Sequence, residues 1–193
     1  MDLVVKEKRI CIINGTPENC ITGLNQYIKD LTNGLNEYRH SVKLFNLSEL
    51  NIKHCTGCWS CWVKTPGLCA QDDDSDIIRK EYINSDLVIM ATPVLVGHVS
   101  GLLKRQIDKL IPLAHPYITL INGETTHEKR YQKVPAICGI IARSKDTDDT
   151  DAAIVKEYLK RMTIQFQSDF AFCEENSVPL SEMINKVNQI GRA

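Results

Sequence analysis

Long apolar runs are missing from this chain. No stretch approaches the roughly 20 residues that a helix needs to cross a bilayer, so a membrane span is not expected. Net charge is nearly missing as well: 23 Lys and Arg stand against 24 Asp and Glu, leaving −1. Nothing in that balance points to nucleic acid or an anionic membrane as a partner. There is no internal repeat, no low-complexity tract and no linker to divide the chain, so residues 1–193 read as one domain. The opening segment MDLVVKEKRICIING is broken by charge and does not read as a secretory leader, which predicts a cytoplasmic protein with reduced thiols. Neither the dinucleotide pattern G-x-G-x-x-G nor the G-K-[ST] of a P-loop occurs. No Ser/His/Asp set or paired-carboxylate site stands out, so no catalytic side chain is assigned.

What the chain does have is cysteine. Four of its eight lie at Cys55, Cys58, Cys61 and Cys69, spaced C-x2-C-x2-C-x7-C. Thiols packed this closely can bind a metal, hold an iron–sulfur cluster or exchange redox state. Pro66-Gly67 in the last spacing allows a turn that brings Cys69 back to the other three. Zinc sites with four cysteines commonly use two separated C-x2-C pairs, a different pattern. A [4Fe–4S] cluster, zinc, and reduced or disulfide-bonded thiols are the three readings. Against them stands a purely structural loop, walled by Trp59 and Trp62 as packing residues.

Along the chain, short apolar runs alternate with helical periodicity. Ile10–Ile13, Leu87–Ala91 and Val134–Ala142 are continuous apolar runs of the kind buried on both faces of a sheet. Val42–Leu47 and Phe170–Cys173 complete five strands. Helices are predicted from Ile21 to Leu35, from the Asp72–Asp76 cap to Asn84, from Ser100 to Ile111, from Asp148 or Asp151 to Met162, and from Leu180 to Ile190. Residues 53–72 read as a cysteine-rich loop and 112–133 as a long polar connection. Strand–helix alternation predicts an α/β three-layer sandwich with a five-stranded parallel sheet in the flavodoxin-like order 2-1-3-4-5. Ligands then bind beyond the carboxyl ends of the strands, at the switch point between the first and third.

Three loops lie there. Asn14 to Thr22 joins a strand to a helix; Gly15 permits a tight turn, and Thr16, Asn19 and Thr22 add donors to the free N–H groups of the helix start. A phosphate suits this loop, although Glu18 would repel one unless it points outward. The alternative is an ordinary capped turn. In the second loop, after Thr92, Pro93 fixes the chain and Gly97 lets a planar ring approach main-chain groups. His98 is a candidate proton donor, set against the commoner role of a hydrogen-bonded surface histidine. The third loop is Ala142 to Thr147. The charged run His127–Tyr131 could meet a nicotinamide phosphate or a neighbouring subunit, and reads more simply as a solvated face.

The strand–Gly15-Thr16-Pro17–helix opening, the cysteine loop, Asp72-Asp73-Asp74 and the stretch TPVLVGHVSGLLKRQIDK together resemble the NADPH-dependent FMN reductase family, in the branch that includes the iron–sulfur flavoproteins. The resemblance covers roughly residues 8–145. It implies FMN at the ends of the first, third and fourth strands of the sheet. The FMN phosphate would rest on Gly15, Thr16, Asn19, Cys20 and Thr22, with the isoalloxazine near Thr92, Pro93, Val94, Leu95, Gly97 and His98. It also implies NAD(P)H as co-substrate, an electron acceptor, a [4Fe–4S] cluster on Cys55, Cys58, Cys61 and Cys69, and a dimer or tetramer. Three positions depart from the family pattern: Glu18 with Asn19-Cys20, Leu95 in place of an aromatic residue, and the Arg143-Ser144-Lys145 loop. The enzyme reading is an FMN-dependent NAD(P)H oxidoreductase, whose hydride chemistry needs no acid–base side chain. Its rivals are an electron carrier without its own substrate and a flavin-free thiol- or metal-binding member of the fold.

Overall fold

A computed structural model describes residues 6–191. Met1 to Val5, part of the opening segment read above, lie outside the described residues. Among those described, no helix is long and apolar enough to cross a membrane.

Five parallel strands form the central sheet: β1 (Arg9–Asn14), β2 (Ser41–Asn46), β3 (Leu87–Pro93), β6 (Ala136–Ala142) and β7 (Phe170–Glu175). Their order is β2-β1-β3-β6-β7, the expected 2-1-3-4-5 once an inserted hairpin is set aside. The continuous apolar runs have a direct cause. Ile10, Ile12, Leu87, Ile89, Cys138 and Ile140 face one core, while Cys11, Ile13, Val88, Met90, Ile137 and Ile141 face the other. Alternate residues point to opposite faces of a strand, so a sheet covered on both sides needs apolar residues at every position. Helices α1 (Leu24–Glu37) and α6 (Leu180–Gln189) close the first core. The second lies under α3 (Ser75–Asn84), α4 (Gly101–Asp108) and α5 (Asp149–Phe166).

Helix starts follow the sequence with one exception. Ser100 caps α4 by accepting from the Leu103 N–H. Asp148 and Asp151 are not alternatives but the two halves of one capping box at α5. Helix α1, however, begins at Leu24, and Ile21 is 93% exposed in the loop ahead of it. At α3 the position before the helix is Asp74, whose side chain accepts from the Asn51 N–H; the oxygen that takes the first helical N–H, of Ser75, comes from Asp73 within the expected Asp72–Asp76 run.

The 112–133 connection is not a loop. After a single 3-10 turn (Ile111–Leu113), β4 (Ala114–Ile121) and β5 (Glu124–Lys129) pair antiparallel. Their turn is Asn122-Gly123, with φ of 50° and 80°. Two central residues with positive φ are what a tight two-residue hairpin requires, and Asn-Gly is its strongest short signal. A four-residue helix, α2 (Ser60–Val63), also forms inside the cysteine segment.

Candidate functional site

The loops after β1, β3 and β6 are braced against one another at the carboxyl end of the sheet. Asn14 organises the first. Its side-chain oxygen accepts from both the N–H and the hydroxyl of Thr16, while its amide donates to Asn25 and Asn46. Gly15 donates its N–H to Ala91 O at 2.8 Å and accepts from the Ser100 hydroxyl at 2.5 Å. A Cβ at this glycine would sit 2.6 Å from that of Leu103, so the loop and the start of α4 can meet only without one. Thr16 is buried with its hydroxyl turned inward; it props the loop. Asn19 is exposed, as is Glu18, and Cys20 and Thr22 are half-buried, with Cys20 Sγ 3.4 Å from Thr22 Oγ1. Helix α1 then starts at Gly23 in the left-handed region, with no side-chain cap and no acidic residue in its first turn. Its N–H groups lack the usual side-chain partner, which suits an anion.

In the second loop Thr92, Pro93 and Val94 are buried and anchored: Val94 donates to Ala142 O, and the Ser100 N–H donates to Thr92 Oγ1. Leu95 and His98 exchange backbone hydrogen bonds across a turn made by Val96 and Gly97, at φ 51° and 67°. A fully exposed β-branched residue at positive φ is a strained conformation. Gly97 lies against α5, where an added Cβ would come 2.8 Å from Asp151 Oδ1. His98 is exposed and its ring rests on Tyr158, centroids 4.9 Å apart. Ile21, Leu95 and Val96 thus put exposed apolar side chains on the first two loops. The third loop reaches the second through Thr147, which donates to Val94 O at 3.4 Å. Arg143 turns away from it, bonding Glu175 and Asp149.

The four clustered cysteines line one cleft of about 410 Å3 with Trp59, Gln71, Asp108, Lys109 and Ile111. Gly67 donates its N–H to Cys61 O, so the Pro66-Gly67 turn does fold the last cysteine back. All eight cysteines are free. Cys61 is held above the ordinary thiol range, first by burial and then by the charge of Cys69, Cys55 and Cys58. Hydrogen bonds from Ser60 pull Cys58 down. Ionising all four would set like charges around one cleft, a repulsion that a cationic centre between them would relieve. Among the described residues no three His, Cys, Asp or Glu side chains are gathered as tightly as a single metal ion needs. The donor set on this cleft is four cysteine thiols, the ligand type that iron–sulfur clusters use.

Trp62 fixes this loop to the rest of the protein. Its indole N–H is shared between Ile111 O at 3.2 Å and Ala114 O at 3.1 Å, and its ring contacts Trp59 and His127. Arg130 bonds Pro112 O and Ala114 O, so the charged run is only partly a solvated face. A wider cleft of about 1120 Å3 is lined by Trp62, His127, Tyr158, Met162 and Phe166, and shares Asp108 and Ile111 with the cysteine cleft. Through Tyr158 it reaches His98.

Sequence reasoning missed Lys109, whose Nζ is 3.2 Å from Cys69 Sγ and whose side chain is 1% exposed. Its only signal is position: it closes the quoted TPVLVGHVSGLLKRQIDK stretch.

The family model for NADPH-dependent FMN reductase matches residues 9–145. Among curated proteins, an iron–sulfur flavoprotein of Archaeoglobus fulgidus is 35% identical over 106 residues, covering 53% of this chain and 46% of that protein. One from Clostridioides difficile is 33% identical over 104 residues, covering 52% of this chain and 44% of that protein. The matches therefore span a little under half the length of these relatives. Among solved structures, a flavone reductase aligns at TM-score 0.56 and 18% identity, covering 95% of this chain and 60% of that one. An FMN-dependent NADH-azoreductase from Bacillus anthracis, in complex with FMN, aligns at TM-score 0.56 and 12% identity, covering 94% of each chain. At these identities the structural likeness shows the fold alone.

Proposed function

The chain belongs to the NADPH-dependent FMN reductase family, and from that premise we propose that it is an FMN-dependent NAD(P)H oxidoreductase carrying an iron–sulfur cluster. The observation that carries the reading is the extent of the family match: residues 9–145 contain the first two crevice loops, the start of the third and the whole cysteine segment. FMN, when bound, would supply hydride and single-electron chemistry that side chains cannot.

Each part of the chain has a task in this reading. The uncapped start of α1 receives the phosphate, with Asn19, Cys20 and Thr22 beside it. Thr16 and Gly15 hold the loop in shape from behind. Pro93, Val94, Leu95 and Gly97 present main-chain groups and apolar surface to the flavin ring, and His98 closes the turn against Tyr158. Cys55, Cys58, Cys61 and Cys69 would hold the cluster. The wider cleft shares Asp108 and Ile111 with the cysteine cleft and touches His98 of the flavin crevice through Tyr158, which supports one electron path between the two. The electron acceptor approaches from solvent, and the working assembly is a homo-oligomer.

Titrating the purified protein with FMN while following flavin fluorescence, then adding NADH or NADPH anaerobically, tests this. Saturable quenching followed by bleaching of the flavin is expected. Flavin that binds but is not reduced by either nucleotide would turn the reading to a carrier. No FMN binding would overturn it.

A further inference from the structure

Lys109 lies just beyond α4, and its ammonium is buried. Three acceptors surround it: Asp73 Oδ2 at 2.9 Å, Gln71 Oε1 at 2.6 Å and Cys69 Sγ at 3.2 Å. An ammonium has three N–H bonds, so every one is used and one is committed to sulfur. The side chains of Lys109 and Asp73 are 1% and 0% exposed. Asp73 is held in turn by the Lys53 and Ser75 N–H groups and by the Ser75 hydroxyl. Ser75 accepts from Arg79, which also donates to Lys109 O. The network reaches from α3 to the end of α4 and terminates on one of the four clustered cysteines.

A buried ion pair is a poor way to gain stability, since burial costs both charges their hydration. Lysine is rarely this deep unless its charge is paired, and Asp73 pairs it here. Here the charge is placed against the sulfur that lies farthest in sequence from the other three. We propose that Lys109 is a positioning residue for the four-cysteine centre: it presents Cys69 as the fourth ligand and keeps a fixed positive charge and an N–H···S hydrogen bond on it, raising the centre's reduction potential. The inference rests on the cluster reading above. Hydrogen bonds to the sulfurs and net charge are established determinants of such potentials. A one-electron reduction adds negative charge to the centre, and the adjacent ammonium favours the more negative state.

The test compares wild type with Lys109→Met, Asp73→Asn/Lys109→Met and Ser75→Ala, all purified without oxygen. Iron and sulfide are measured first, then the midpoint potential by mediated titration read by electron paramagnetic resonance. The double variant guards against misfolding, because it removes both buried charges together. Ser75→Ala loosens the same network while leaving the bond to Cys69 in place. The expected result is a roughly tenfold fall in the equilibrium constant for one-electron reduction, about 59 mV, in both Lys109 variants and no shift in Ser75→Ala. A folded double variant that no longer holds iron, beside a Ser75→Ala protein that does, also supports the proposal, because Cys69 is then no longer presented. Equal potentials in all four proteins overturn it. Wild type without iron is a different failure: it removes the cluster reading before any potential is measured, and the proposal falls with it.

Discussion

At the scale of single residues, the crevice concentrates unfavourable conformations. Val96 is β-branched, fully exposed and at φ 51°, and nothing in its packing rewards that backbone. Val96→Gly is expected to raise stability by ~1 kcal/mol in urea denaturation, because strain of this kind is stored at functional loops. A loss of stability would mean the turn is not strained. Its neighbour behaves oppositely. Gly97→Ala must hold φ near 67° and displace Asp151 from the α5 capping box, so a loss of about 1–3 kcal/mol is expected. Thermal melts give the stability, and weaker fluorescence quenching on FMN addition would show that the loop's shape matters to the ligand. Asp73 supplies a pH dependence. Burial opposes its charge, but hydrogen bonds from Lys109, Ser75 and the Lys53 N–H outweigh that and hold its carboxyl down to about 2. Its folded value lies below its ordinary 3.8, so its contribution is present above pH 4 and is lost as pH falls through about 2. About 1–2 kcal/mol is expected from this shift, seen as a stability gap between wild type and Asp73→Asn that narrows below pH 4.

At the scale of elements, what could be read from sequence depended on whether the signal was local. The capping residues Ser100 and Asp148, and the apolar runs of β1, β3 and β6, carry their own cause and are where the sequence places them. The hairpin of β4 and β5 stands where a long connection is expected, although Asn122-Gly123 announces it. Tyr117, Ile118 and Leu120 are all exposed, so the strand lacks the one-sided alternation that marks a half-buried sheet. The spacing of Ile21 fits α1, yet the loop ahead of the helix ends only at Gly23. Helix α2 has four residues and too little periodicity to see. Its hold on the fold is Trp62. Trp62→Phe removes the indole donor shared by Ile111 O and Ala114 O, at a cost of about 1 kcal/mol. Because Cys61 is 7% exposed beneath this segment, its iodoacetamide labelling in metal-free protein is expected to quicken while labelling of exposed Cys58 stays constant. Unchanged Cys61 labelling would show that Trp62 does not hold the loop.

For the whole molecule, the sheet order follows from strand–helix alternation and right-handed crossovers, so it is legible in the sequence. The cysteine spacing identified four thiols, and the fold adds that all four line one cleft. Lys109 was not legible, because a lysine at a helix end reads as a surface residue until the tertiary structure buries it against Asp73 and Cys69. The proposed function requires a metal cluster and a flavin crevice on one chain. The most direct test is iron and acid-labile sulfide analysis of protein purified without oxygen, paired with its visible spectrum. About four irons and four sulfides per chain beside flavin absorption bands are predicted, the count of a four-cysteine cubane. Flavin without iron or sulfide would contradict the claim and leave the cysteine cleft as a thiol site.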